Sequence, residues 1–277
     1  MVRRRLAQQP TARLAIWARR CAVFSLVATA LVVVIVRTSL IELEPSLAAV
    51  AGALGFAVVA MMLALAAFIV IWRDGIEGLG PALLALVIGV ALLGYPAYLG
   101  TRAYRIPAIN DVTTDPGDPP RFDLIARLRP RGTVDYAGAA VAARQQAAYP
   151  DIEPLQVATS PQVAYEAAIA TVNKRKWRVV LDRPPQAGRR DGQIEAVART
   201  PILGFREDVV VRVRASATGA RIDVRSASRY GRHDLGSNAA RVRNLLEDID
   251  DAVSAYVEEK KKPAKPAPAK GSQPARR

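Results

Sequence analysis

Apolar and polar positions divide the chain into an apolar front and an alternating remainder. Residues 21–36 (CAVFSLVATALVVVIV), 46–72 (SLAAVAGALGFAVVAMMLALAAFIVIW) and 82–100 (ALLALVIGVALLGYPAYLG) hold no charged residue. A helix rises about 1.5 Å per residue, so the longer runs suffice to cross roughly 30 Å of hydrocarbon. The first does so by recruiting part of its flank, LAIWARR. Backbone groups in hydrocarbon must be satisfied within the segment, which makes all three runs helices. The basic start of the first run is that of a signal peptide, but no convincing small-residue cleavage site precedes the second run, and it is read as an anchor. Small residues such as Ala49, Gly52, Ala53, Ala57, Ala85 and Gly89 permit close helix approach, and an unspecific alanine-rich lipid face fits them equally.

Beyond residue 134 the periods change. DYAGAAVAARQQAAYP (135–150) reads as a short helix stopped by Pro150. Ser160 and Pro161 supply an N-cap and a first-turn proline for the helix VAYEAAIATVNKRK. Trp177 to Leu181 reads as a strand, and Gln193 to Thr200, Asp208 to Arg214 and Ala220 to Ser228 show period two. Ser237 to Val257 closes with Val242, Leu245, Leu246, Ile249 and Val253 at helical spacing. The expected fold is therefore three transmembrane helices plus a two-layer α+β domain with a four-stranded antiparallel sheet and a long final helix. Its boundaries are a basic N-terminus (1–20), the membrane region (21–100), an extended Pro/Asp-rich connector (101–134), the α+β domain (135–257) and a Lys/Pro/Ala tail (258–277) expected to be disordered. The second sheet face, with Glu195, Arg199, Arg212, Arg214, Arg221, Asp223 and Arg225, is expected to be solvated.

The formal charge of +14 alters this picture less than its size suggests. Residues 1–20 carry six arginines and no acid, and residues 258–277 carry seven Lys/Arg against two glutamates, leaving +3 for everything between. Basicity confined to two ends argues against a nucleic-acid partner. Arg3, Arg4, Arg5, Arg13, Arg19 and Arg20 should remain cytoplasmic, so three crossings deliver the α+β domain to the periplasm. Arg102, Arg105, Arg121, Arg127, Arg129 and Arg131 stand against that assignment, which rests on the weaker hold of the charge rule over long translocated domains. No span carries a central ionisable residue, which disfavours transport by this chain alone. Cys21 is the lone cysteine and forms no internal disulfide.

The connector IPAINDVTTDPGDPPRF (106–122) lacks the alternate-residue spacing of a calcium loop, and its four prolines disfavour helix and central strand. It is expected to run extended along the domain. The polar loop SASRYGRHDLGSNAAR (226–241) holds the chemistry-bearing residues. Its simplest reading is a turn with Gly231 and Gly236 leading to a Ser237 or Asn238 helix cap. The ligand reading is an anion site in which Arg229, Arg232, Ser237, Asn238 and Arg241 hold a phosphate or carboxylate at the helix start. An enzymatic rival gathers Arg206, Asp208, Ser228, Arg229 and His233, without a nucleophile-elbow motif to support it. No cofactor or metal is expected. The apolar turn TPILGF (200–205) either dips into the bilayer, meets a partner or folds back over the sheet edge.

INDVTTDPGDPPRF, YAGAAVAARQQAAYPDIEPL, IEAVARTPILGFREDVVVRVR and IDVRSASRYGRHDLGSNAARVRNLL together resemble the bacterial family DUF1499 between about Ile106 and Val257. The resemblance implies a membrane-associated bacterial protein and brings no catalytic residues with it. The function expected is an inner-membrane protein of the cell envelope displaying a periplasmic binding module. Its expected partners are the lipid bilayer and an anionic lipid, an envelope polymer or a protein. A structural subunit of a membrane complex is the further alternative.

Overall fold

A computed structural model describes residues 10–38, 43–129, 135–188 and 190–261. Residues 1–9 of the N-terminal segment and 262–277 of the basic tail lie outside the described residues, and the final helix runs on to Lys261, into the segment expected to be disordered. Helices α1 (Arg13–Arg37), α2 (Leu43–Asp74) and α3 (Leu79–Arg105) are each long and apolar enough to cross a membrane. They pack through alanines: Ala15, Ala18 and Ala22 of α1 meet Ala60, Ala64 and Ala67 of α2 and Ala82 and Ala85 of α3. Small side chains let the backbones approach, and the Ser25 hydroxyl donates to the Ala53 carbonyl at 2.7 Å. Of the small residues singled out above, Ala57 is fully buried, and a Cβ on Gly89 would lie 2.4 Å from Met61 Cγ. A Cβ on Gly52 would meet nothing within 4 Å. The start of α1 is tied to the α2–α3 connection by Ala12 N–H donating to the Glu77 carbonyl, so α1 and α3 end on the same side.

The domain's sheet has six strands, not four. They are β1 (Asp111–Thr113), β2 (Leu155–Val157), β3 (Arg178–Arg183), β4 (Gly192–Arg199), β5 (Arg206–Ser216) and β6 (Gly219–Ser228). The order is β1-β6-β5-β4-β3, all antiparallel, with β2 also on β6. The period-two pattern finds the long strands and misses β1 and β2, because three residues are too few to show alternation. Gly219 turns β5 into β6 at φ 142°, where an added Cβ would lie 2.4 Å from the Val157 carbonyl oxygen.

One sheet face carries Ile194, Val209, Val211, Val213, Ile222 and Val224, covered by α6 (Pro161–Lys174) and α7 (Ser237–Lys261). Ser160 caps α6 as expected, accepting from Val163 N–H. The short helix α5 (Ala139–Ala148) ends just before Pro150, and its Gln145 side chain bonds both backbone groups of Thr113, fixing β1.

The opposite face is not solvated: Glu195 and Asp223 are fully buried and Arg225 is 2% exposed. Residues 111–129 form a strap across it, including β1 and the one-turn helix α4 (Leu124–Leu128). Charge explains the fit. In the pairing network the sheet, together with Arg229 just past the end of β6, contributes Arg183, Arg212, Arg214, Arg221, Arg225 and Arg229 against Glu195, Asp208 and Asp223, hence +3. The strap contributes Asp111, Asp115, Asp118 and Asp123 against Arg129, hence −3. Arg225 donates to both oxygens of Asp111, at 2.7 Å for the shortest contact, and to the Pro120 carbonyl. Asp115 accepts from the N–H groups of Gly117 and Asp118 and from Arg221, so its oxygens are engaged by the strap's own turn and the sheet. Glu195 accepts from the N–H groups of Asp123 and Ile125 at the start of α4. Phe122 fills the centre, with Arg129 and Arg225 guanidiniums 5.4 and 4.9 Å from its ring, above Val210 and Ala227.

The proline-rich connector, expected to run extended along the domain, forms a layer docked on this face, and the sheet itself begins at β1. Arg225→Ala leaves Asp111 buried without its counter-ion and is expected to cost about 3–5 kcal/mol. Arg214→Ala, at a site 27% exposed and shared by several acids, is expected to cost about 1 kcal/mol or less. Denaturant unfolding of the full chain in detergent, followed by far-UV circular dichroism, measures both.

Candidate functional site

The polar loop between β6 and α7 lies where the domain meets the apolar helices. Asn110 Nδ2 donates to the Gly231 carbonyl at 2.5 Å, and Asp234 N–H donates to the Ile109 carbonyl at 3.0 Å. His233 has both ring nitrogens in use. Nε2 donates to the Ala103 carbonyl in the last turn of α3, at 3.1 Å, and Nδ1 accepts from Leu235 N–H at 3.0 Å. A carbonyl only accepts, so the proton sits on Nε2 in this arrangement. Leu235 adopts φ 55°, rare for a leucine, and Gly236 follows at φ 76°.

The start of α7 is capped from within. Asp234 accepts from Gly236 N–H at 2.8 Å and Asn238 N–H at 2.9 Å, supplying the acceptor that the free N–H groups of a helix start require. Burial raises the Asp234 carboxyl above the ordinary aspartate value, despite these two hydrogen bonds.

The five anticipated anion ligands come together only in part. Arg229 pairs with both oxygens of the fully buried Asp208, which Arg129 also holds. Arg241 pairs with Glu207 and donates to Ser226 and Asn238. Burial, with Arg175 nearby, lowers the Arg241 guanidinium to about 10, leaving it charged at neutral pH. The Ser237 hydroxyl donates to Glu207, and Asn238 Nδ2 donates to the Asn110 carbonyl and Ser228 Oγ. Arg232 is exposed and makes no hydrogen bond or ion pair among the described residues.

The residues of the enzymatic rival are likewise dispersed: Ser228 donates to Glu207, His233 faces α3, and Asp208 sits between two arginines. Among the described residues no hydrogen bond links Ser228, His233 and Asp208. Sequence reasoning missed Glu207, Asn110 and Asp111 as organisers of this region. Each lies far along the chain from its partner, and no local spacing signals it.

The TPILGF turn meets the end of α1. Arg37, at the end of α1, donates to the carbonyls of Pro201 and Ile202, and Arg199 donates to the Arg37 carbonyl at 3.0 Å. Gly204, at φ 70°, brings the turn close to Arg37, whose Cγ would stand 3.4 Å from an added Cβ. A separate cleft of about 850 Å³ lies at the far end of the sheet, lined by Ser160, Gln162, Gln186, Arg190 and Arg214 among others.

The family model described as "Protein of unknown function (DUF1499)" matches residues 111–249, half of the chain. The chain belongs to the DUF1499 family. The matched segment starts at β1 and ends within α7, so the strap is part of the DUF1499 domain while α1, α2 and α3 precede it. A search of curated proteins finds no match.

The cap has a consequence for stability. Asp234→Ala removes the acceptor for two amide groups and is expected to cost about 1–2 kcal/mol. Because burial raises the folded-state value, the stability contributed by the neutral acid is full below the unfolded value of about 4. It is lost as pH rises through the folded one. Relative to Asp234→Asn, wild type should therefore lose stability as pH increases across that window, measured by paired thermal melts.

Proposed function

We propose that this DUF1499 protein is a multi-pass protein of the bacterial inner membrane that presents its α+β domain to the periplasm as a binding module. The ligand class is an anionic envelope component, with a protein partner as the other candidate, and no reaction is assigned. The observation that carries the reading is Arg232. It is exposed in the loop seated on the end of α3, while Arg229, Ser237, Asn238 and Arg241 around it are held by internal partners. An exposed guanidinium on a braced loop can engage a phosphate or carboxylate without loss of a structural ion pair.

The orientation proposed rests on a charge difference along the sequence, with Arg3, Arg4, Arg5, Arg13, Arg19, Arg20 and Arg73 flanking one end of the helices and Arg37, Arg102 and Arg105 the other. Arg13, Arg19 and Arg20, with Arg73 at the end of α2, lie toward the end of the bundle where α1 begins. Arginine-rich short flanks are retained in the cytoplasm, and three crossings then put the domain outside.

Purification of the full chain in lipid, followed by mass spectrometry of what remains bound, tests the binding reading. An anionic component retained by wild type and lost by tenfold or more in Arg232→Ala is expected, with stability unchanged within about 0.5 kcal/mol. Equal retention by the two proteins counts against it. A reporter active only in reducing cytosol, fused after Val257, should be silent, and an active fusion overturns the periplasmic assignment.

A further inference from the structure

Six arginines gather where the domain meets the helix ends: Arg37 at the end of α1, Arg102 and Arg105 in the last turns of α3, and Arg199, Arg206 and Arg232 on the adjoining edge of the domain. We propose that this collar binds the phosphates of anionic phospholipids in the bilayer that α1, α2 and α3 cross. The proposal rests on the membrane reading above and narrows its ligand class to a lipid headgroup.

Unanswered charge is the first reason. The arginines on the strapped face are paired with buried carboxylates, whereas these six have no ion-pair partner among the described residues. Arg199 and Arg206 stand directly opposite one another in the β4–β5 ladder, both exposed. Like charges at facing positions on neighbouring strands repel, and a shared anion removes the penalty. Arg37 and Arg199 donate only to carbonyl oxygens, which satisfies their N–H groups and leaves their charge.

Nearby acids do not balance the collar. Asp234 is buried as the cap of α7, Glu207 holds Arg241, and Asp208 holds Arg129 and Arg229. In sequence, Glu42 between α1 and α2 and Glu44 in the first turn of α2 add two acids against six arginines.

Position identifies the occupant. Leu31 and Val34, within two turns of Arg37 on α1, are exposed apolar residues, so hydrocarbon ends at about the level of the collar. Tyr104, Ile202 and Tyr230 are exposed at the same level, and amphipathic and apolar side chains of this kind sit in the headgroup layer. A lipid phosphate is the anion that occurs there in every orientation of the helix. Each basic residue at a membrane surface contributes roughly fivefold to the affinity for anionic lipid.

The test uses the full chain in a neutral detergent, titrated with phosphatidylglycerol or phosphatidylcholine and read by native mass spectrometry. Wild type should retain phosphatidylglycerol at least tenfold better, with the preference falling as salt rises. Arg206→Gln with Arg232→Gln should lower that preference by about an order of magnitude, while Arg190→Gln at the far end of the sheet leaves it unchanged. Equal retention of both lipids, a salt-independent preference, or a double variant indistinguishable from wild type overturns the proposal. Displacement of the lipid by millimolar inorganic phosphate also overturns it, since it marks a site for free anion. If the double variant melts early, the lipid preference and salt dependence of wild type decide the matter. A non-lipid envelope component retained through Arg232 without any lipid preference ends this proposal and leaves the proposed function standing. A cytosolic domain with the lipid preference intact does the reverse.

Discussion

A charge removed from water must find its counter-charge inside the fold, because the desolvation cost of an unpaired buried ion exceeds what packing can return. That requirement organises this domain. The sheet offers two faces, and ordinary hydrophobic burial under α6 and α7 covers only one. The other bears arginines in excess over acids, and it becomes interior only because the strap carries the opposite excess in Asp111, Asp115, Asp118 and Asp123. Phe122 and Ile125 then supply the apolar filling between the charged rows. Strap and sheet are mutually dependent, since neither has a neutral surface to bury without the other.

The junction with the three apolar helices is built by different means. There the contacts are hydrogen bonds to backbone carbonyls: Arg37 to Ile202, Arg199 to Arg37, His233 to Ala103. Such bonds fix position and leave charge unspent. Carboxylate pairing inside the domain and carbonyl pairing at its edge divide the arginines into a structural set and an available set. Arg229 and Arg241 belong to the first, Arg199, Arg206 and Arg232 to the second.

This division shows what an anion-site reading from residue type can and cannot achieve. The segment 226–241 runs from the end of β6 through a polar loop into α7, and its simplest reading, a turn leading into a helix cap, describes the geometry. The cap is Asp234, however, rather than Ser237 or Asn238. An aspartate within a few residues of a helix start is as good an acceptor as a serine, and the choice depends on the left-handed turn at Leu235 and Gly236. Local composition does not encode that turn uniquely.

The sequence by itself determined the three apolar helices, the three long strands with their inward residues, the final amphipathic helix and the family, because each rests on a period or string contained within one segment. Only the tertiary structure decided the fate of the second sheet face, the membership of β1 and β2 in the sheet, and which arginines remain available. The physical reason is separation along the chain. Asp111 and Arg225 are 114 residues apart, and Arg37 and Ile202 are 165 apart. Whether an exposed-looking arginine is solvated or buried depends on which carboxylate folding delivers to it, and no periodicity records that.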